Sequence, residues 1–160
     1  NAPNPNCIRY ILVKMLLKGV PMHVSPSPQA GAVTETMIHD LVHEFYRRVQ
    51  ADEVLGPVFA RAIGNQENWG PHLAKMCDFW SSVMLMSGRY HGRPMAAHMK
   101  VKTIRPQHFT RWLKLFEEAA YDVAGPEAGA LFTVKAQRIA HSLQLGLFFR
   151  PEEADGKRQT

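Results

Sequence analysis

The chain has 160 residues, of which 46% are hydrophobic and 21% charged, so it can form one domain with a full apolar core and should not be disordered. Its net charge of +5 is spread unevenly, because residues 1–33 carry three basic and no acidic side chains, whereas residues 34–149 carry 13 basic and 11 acidic ones. A nearly neutral body argues against nucleic-acid binding, which concentrates positive charge on the folded surface.

The first 33 residues do not have the pattern of a folded core. The apolar run at residues 8–20 is too short to cross a bilayer. Because it also contains Arg9, Lys14 and Lys18, it is too charged for the core of a secretory signal. Its helical spacing also allows a weakly amphipathic helix that touches a membrane surface or a partner. We expect residues 1–33 to form an accessory, flexible extension outside the folded domain.

The pattern is helical from Thr34 onward, with Thr34 as the cap of the first helix and apolar residues recurring at intervals of three and four. The Gly-Pro pair at residues 56–57 is expected to break this helix, and residues 58–63 leave room for a turn or two. Pro71 suits the first turn of the next helix, whose apolar face is headed by His72. Nothing in this half indicates a strand.

The second half of the chain repeats this helical organisation. Pro94 opens a short helix that carries His98, and Pro106 is expected to stop it. An apolar stripe beginning at Phe109 predicts a longer helix, which the Gly-Pro pair at residues 125–126 separates from a last one. Short connections between helices predict a compact all-α domain without internal repeats.

Most of the histidines and both cysteines carry no pattern that requires a metal or a disulfide. His39 and His43 have the four-residue spacing of a zinc pair, but both lie off the apolar stripe and lack a third ligand, so we expect a solvated face. His108 stands at a helix start and is expected to be a cap-region or surface residue rather than a ligand. Cys7 and Cys77 do not form a disulfide framework and there is no C-x-x-C-H motif, which favours a reducing, cytoplasmic setting.

Four residues could build a haem pocket. His98 follows His72 by 26 residues, and His72 follows Tyr46 by the same interval. A neutral imidazole can bind haem iron from one side, while a Tyr, a second His and Trp112 face the ligand on the other. Spacing alone equally allows a structural histidine, a core tyrosine and a core tryptophan.

The ordered set of short motifs resembles one family, the group III truncated haemoglobins, over residues 34–149. The motifs are FYRRV at residues 45–49, LGPVF at 55–59, AIG at 62–64, WGPH at 69–72, DFW at 78–80, YHGRP at 90–94, His98, His108 with Phe109, and WLKLFEE at 112–118. No single motif is specific, but their order and spacing match the family.

The resemblance implies a two-over-two helical sandwich globin over residues 34–150 that holds a non-covalent haem b, followed by a polar tail at 151–160. It implies that His98 is the proximal ligand of a five-coordinate iron and that Tyr46, His72 and Trp112 are the distal polar residues. It also places five side chains on the porphyrin face or the pocket wall: Phe59, Phe45, Met76, Phe79 and Trp80.

A pocket of this kind is expected to bind O2, NO and CO and to release O2 slowly. Its expected chemistry is the conversion of NO to nitrate with electrons from a reductase, with a peroxidase-like activity as the less favoured variant of this hypothesis, rather than bulk O2 transport. Two alternatives remain open: a haem-based sensor or storage protein without turnover, and a haem-free helical interaction module.

Overall fold

The structure, a computed structural model, describes residues 32–149. Its helices are α1 (Glu35–Ala51), α2 (Leu55–Ile63), α3 (Trp69–Leu85), α4 (Pro94–Met99) and α5 (Pro106–Phe148), and a 3-10 turn at Gln66–Asn68 precedes α3. No strand occurs between residues 32 and 149, which confirms the all-α prediction. The predicted extension, apart from residues 32 and 33, and the predicted tail lie outside the described residues.

Helix α1 is the centre of the packing, because it contacts α2, α3 and α5. Its start is capped by Thr34, whose Oγ1 accepts the Met37 N–H at 3.2 Å, and Glu35 places a negative charge in the first turn. One face is buried: Ile38, Leu41, Val42, Phe45, Tyr46 and Val49. Because this face meets three helices at once, residues that pack on α1 are brought together from distant parts of the chain.

The break predicted at residues 56–57 is wrong by several residues, because α1 ends at Ala51 and the Gly-Pro pair lies inside the first turn of α2. Asp52 causes the earlier break. Its Oδ1 accepts the N–H groups of Val54 and Leu55 at 3.0 and 2.8 Å, which caps the new helix. Proline is tolerated in a first turn, where its missing N–H has no helical partner to lose.

The Asp52 carboxylate also binds α5 to the turn between α1 and α2. Its Oδ2 accepts a hydrogen bond of 2.8 Å from Nε of Arg111, and the Asp52 side chain is only 5% exposed. Burial alone would raise the pKa of this carboxyl group, but the hydrogen bonds from Arg111, Leu55 and Val54 lower it. One carboxylate therefore fixes both the start of α2 and its distance from α5.

Helix α5 consists of two antiparallel halves. Gly125 has φ 74° and ψ −179°, a conformation that favours glycine, and it separates the halves as the sequence predicted. The rings of Phe109 and Phe148, near opposite ends, lie 6.1 Å apart. A Cβ at Gly129 would stand 3.0 Å from the Ala120 carbonyl oxygen, so the absence of a side chain there permits the close approach.

Two apolar clusters fill the fold. The larger one joins α1 to α3 and to the middle of α5, whereas the smaller one joins α4 to both ends of α5 through Phe109, Ala140 and Leu143. Leu113 and Ile139 pack against both clusters, which links them into one core. Across residues 32–149, no helix has both the length and the apolar composition needed to cross a membrane.

We predict that Asp52→Ala lowers the free energy of unfolding by about 2–3 kcal/mol, because it removes a helix cap and a charge-assisted hydrogen bond. Asp122→Ala is the matched control, since Asp122 pairs with Arg48 but its side chain is 65% exposed; the expected loss there is below about 1 kcal/mol. Urea denaturation of both variants at neutral pH measures the difference.

The Asp52 contribution should also depend on pH with a defined sign. A folded-state pKa below the unfolded value stabilises the fold above the ordinary carboxyl pKa of about 3.9, and this contribution is lost as the pH falls through the lowered folded value. Equal losses of stability for the two aspartate variants would contradict this account of the turn between α1 and α2.

Candidate functional site

His98 is held in one tautomer by its own helix. Its Nδ1 lies 2.8 Å from the carbonyl oxygen of Pro94, four residues earlier in α4. Because a carbonyl can only accept, Nδ1 carries the proton and the neutral ring keeps a lone pair on Nε2. That arrangement prepares an imidazole to bind a metal and sets the direction of the bond.

The surroundings of His98 restrict its ring and its helix. The ring stacks beside Phe109 of α5 with a centroid distance of 6.4 Å and an interplanar angle of 29°. Met95, on the same helix, packs at Gly146 of α5, where an added Cβ would meet the Met95 Cε at 2.2 Å. The short α4 is therefore fixed against α5 at two points.

The connection between α3 and α4 is held by charged and hydroxyl groups. Ser81, which is fully buried, has its Oγ 2.8 Å from the Glu35 carboxylate and 2.8 Å from the Ser87 hydroxyl. Arg89 donates to Glu35 at 2.6 Å and lies 3.2 Å from Asp78. The hydrogen bonds from Ser81 and Arg89 lower the pKa of Glu35, which is therefore ionised at neutral pH. These contacts attach the chain leading to α4 to the start of α1.

Tyr46 and His72 meet on the other side of the core. Tyr46 is 5% exposed, and its ring makes edge contacts with His72 at 4.9 Å, Phe59 at 5.8 Å and Trp69 at 6.2 Å. Burial raises the pKa of the Tyr46 phenol, so it stays protonated and can donate a hydrogen bond at any physiological pH.

His72 has an unused polar atom. Its Nε2 is buried and has no hydrogen-bond partner within residues 32–149. Burial and, to a smaller extent, the Lys75 charge lower the pKa of this ring, which is therefore neutral at pH 7. A buried ring nitrogen without a partner is costly in an apolar setting, unless a further group in the pocket satisfies it.

Trp112 reaches the same region from α5. Its ring makes an edge contact with Phe45 at 5.5 Å and stacks on Phe116 at 5.1 Å, and Phe45 in turn contacts Tyr46 at 5.0 Å. Three of the predicted wall residues, Phe59, Met76 and Phe79, are half-buried. The other two, Phe45 and Trp80, are 1% and 3% exposed and support the wall from within the core.

The structure thus brings Tyr46, His72 and Trp112 together around the larger cluster, whereas the His98 ring lies against Phe109 of the smaller cluster. The core therefore offers an imidazole with a free Nε2 and three side chains that can donate hydrogen bonds, and these are the types of group that bind haem iron and its ligand. His39 and His43, by contrast, are exposed and stack on each other at 4.2 Å. Between residues 32 and 149 no group of three or more His, Cys, Asp or Glu side chains could hold a metal ion.

Comparison with known proteins identifies the family. The family model described as bacterial-like globin matches residues 31–141. The group 3 truncated hemoglobin ctb of Campylobacter jejuni is 36% identical over 117 residues, which cover 72% of this chain and 92% of that protein. The crystal structure of the group III truncated hemoglobin from Campylobacter jejuni superposes with a TM-score of 0.70 at 36% identity, covering 73% of this chain and 93% of that one.

The chain belongs to the bacterial-like globins and is a group III truncated haemoglobin. Membership confirms the predicted truncated-globin fold and implies that the protein binds haem and, through it, diatomic gases. The residues present fit that group, because His98 offers a free ring nitrogen and His72 has an unpartnered polar atom at the pocket.

Two features of this globin have no signal in the sequence pattern, whereas a third, the cap at His108, does. Trp69 is buried and contacts both Tyr46 and His72, although it was assigned no role within the WGPH motif. The Asp52–Arg111 pair joins residues 59 positions apart, and no local sequence pattern predicts it. His108 was predicted near a helix cap, and its Nδ1 indeed accepts the backbone N–H that opens α5, at 3.1 Å.

Proposed function

We propose that the globin holds a haem b through His98 and binds O2, CO and NO in a pocket lined by Tyr46, His72 and Trp112. The hydrogen bond from His98 Nδ1 to the Pro94 carbonyl supports this most directly, because it leaves Nε2 as the only metal-binding atom of the ring. The missing C-x-x-C-H motif supports non-covalent binding. The wall would be formed by Phe59, Phe45, Met76, Phe79 and Trp80.

His98→Ala is expected to purify with little or no haem, because the strongest bond to the group is removed. Adding free imidazole should restore part of the lost Soret absorbance, since imidazole can occupy the space left by the side chain. His141→Ala is the matched control, because His141 lies exposed on α5, and its haem content should equal that of the wild type. A red His98→Ala protein with an unaltered iron spectrum would contradict the proposal.

A haem supplies an iron centre that takes up a diatomic ligand and draws partial negative charge onto it. The Tyr46 hydroxyl and the Trp112 indole N–H can both donate to that charge, and donors fixed in advance in an apolar pocket stabilise it without reorganisation. Tyr46 is held by its contacts with His72, Phe59 and Trp69, and Trp112 by its stack on Phe116. We therefore expect O2 to leave slowly.

Replacing both donors, in Tyr46→Phe with Trp112→Phe, is expected to accelerate O2 dissociation roughly a hundredfold, because two hydrogen bonds worth about 3 kcal/mol together are lost. Stopped-flow displacement of O2 by CO measures this rate. Tyr121→Phe is the control, since Tyr121 is 41% exposed on α5. Unchanged dissociation in the double variant would show that neither side chain stabilises the ligand.

His72 is suited to gate the pocket. Its neutral ring can stay among Tyr46 and Trp69, whereas a protonated ring would be expelled from these apolar contacts toward water. The pKa of the inward ring is lowered by burial and by Lys75, so the outward swing requires a pH below the ordinary histidine value.

CO association should therefore accelerate as the pH falls through a midpoint below about 6.5, the ordinary histidine pKa. In His72→Ala it should be fast and independent of pH. Flash photolysis between about pH 5 and pH 8 covers the transition. Association that is flat in the wild type, and equal to that of the variant, would rule out a gate.

The reaction that best suits slow O2 release is the oxidation of NO to nitrate, in which NO, O2 and one electron give one nitrate ion. The electron would come from a reductase, and the two cysteines without a disulfide framework favour a cytoplasmic site of action. Nitrate formation from NO under O2 with a chemical reductant tests this reaction. If O2 and CO bind but NO is not turned over, the protein is a ligand sensor or store instead.

A further inference from the structure

Five aromatic rings form an unbroken series of contacts from the pocket to the surface. They are Trp112, Phe116, Trp80, Phe79 and Tyr90, with successive centroid distances of 5.1, 4.7, 5.6 and 5.1 Å. The first three rings are nearly parallel, with interplanar angles of 9° and 17°. Overlap of parallel faces is one of the favoured aromatic geometries, and here it continues over three side chains from two helices.

The two ends of this series lie in different environments. Trp112 contacts Phe45, which contacts Tyr46, so the inner end belongs to the candidate pocket, and Phe79 and Trp80 in the middle of the series belong to its proposed wall. Tyr90 is only half-buried and lies four residues before α4. Its ring covers Gly92 so closely that a Cβ there would stand 2.3 Å from the phenolic oxygen.

Tyr90 is held in this place by its backbone as well as by its ring. Its N–H donates to Oγ of Ser82 at 2.9 Å, and that hydroxyl donates to the Asp78 carbonyl at 2.8 Å. The edge contact with Phe79 then fixes the ring against α3. Tyr90, the outer end of the series, is therefore held in a defined position.

The order of residue types along the series matters for redox chemistry. Indole and phenol are the side-chain rings most easily oxidised by one electron, whereas a phenylalanine ring is not oxidised but bridges the space between its neighbours. The series alternates Trp, Phe, Trp, Phe and Tyr, so every oxidisable ring is separated from the next by one bridging ring. At the outer end Tyr90 is only half-buried, so although burial raises the pKa of its phenol, water can reach the residue and take the proton when the ring loses an electron.

We propose that this series is a path for single electrons from the protein surface to the pocket, and that Tyr90 is its surface terminal. This inference rests on the proposed haem binding and goes beyond it by assigning a second site, at which a small one-electron donor such as a phenol or ascorbate is oxidised. The oxidant is a peroxide reduced in the pocket.

Hydrogen peroxide takes up two electrons and two protons and becomes two molecules of water. Each electron leaves Tyr90 through Phe79, Trp80 and Phe116 toward Trp112, and the Tyr90 phenol releases its proton to solvent and becomes a tyrosyl radical. A donor at the surface then returns one hydrogen atom to the Tyr90 oxygen, so two donor molecules are oxidised for each peroxide.

The other tyrosines between residues 32 and 149 serve this role less well. Tyr46 is buried, and burial holds its phenol protonated, so an oxidised ring would have no water to receive the proton. Tyr121 is 41% exposed but makes no aromatic contact within residues 32–149, so it is the matched control. Trp69 contacts Tyr46 and could accept oxidation along a separate branch.

The test uses the haem-loaded protein, after its Soret absorbance has shown equal haem content in all variants. One equivalent of hydrogen peroxide is added without a reductant, and the sample is freeze-quenched for electron paramagnetic resonance. A parallel sample is analysed for dityrosine fluorescence and, by mass spectrometry, for oxidised residues. A surface tyrosyl radical should couple two molecules through dityrosine.

We expect Tyr90→Phe to lose most of the tyrosyl signal and most of the dityrosine, while Tyr121→Phe keeps both at the wild-type level. Trp80→Phe should remove the Tyr90 radical as well, because it replaces the middle oxidisable ring by one that cannot be oxidised. Tyr90→Phe should leave CO binding unchanged, since Tyr90 lies outside the pocket residues.

Three results would overturn the path. Equal radical and dityrosine yields in Tyr90→Phe and Tyr121→Phe would overturn the path, as would oxidation mapped to Trp69 or Tyr46 with Tyr90 intact. Consumption of peroxide by the wild type without any protein radical would overturn it too. In all these cases a Soret band leaves the proposed function standing, whereas its absence from the wild type contradicts both proposals.

Discussion

The hydrogen bond between His98 Nδ1 and the Pro94 carbonyl is the interaction on which the candidate site depends. It is made within one six-residue helix, so it survives only if that helix keeps its shape and place. The helix is too short to be stable alone, and the rest of the fold supplies its stability. Phe109 and Gly146 hold α4 from the side of α5, and the contacts of Ser81 and Arg89 hold the chain that leads into it.

The polar contacts that hold the helices around the candidate site lie at two connections between helices. Asp52 fixes the turn between α1 and α2, and Glu35 with Ser81 fixes the chain after α3. The faces between these points are apolar, and α1 packs against three helices at once. Because these connections are fixed, Tyr46, His72 and Trp112 reach the same region from three different helices.

The helices and the order of the site residues could be predicted from the sequence, because both leave local patterns. Apolar spacing found α1 and the two halves of α5, and Gly125 marked the break between them as expected. The error at residues 56–57 arose because proline was treated as a break, although a first turn tolerates it. Contacts across long separations, such as Asp52–Arg111 or the stack of Trp80 on Phe116, depend on how helices pack and leave no trace in spacing.

Because Gly146 has no side chain, it leaves space on α5 for a side chain of α4, the helix that carries His98. What fills this space is the thioether end of Met95, an unbranched and easily rearranged side chain. Such a side chain can change its rotamer with little loss of packing, whereas a branched or aromatic side chain in the same space could not. Of the two contacts that hold α4 against α5, the one made by Met95 is therefore the more adaptable, because the other uses the rigid rings of His98 and Phe109.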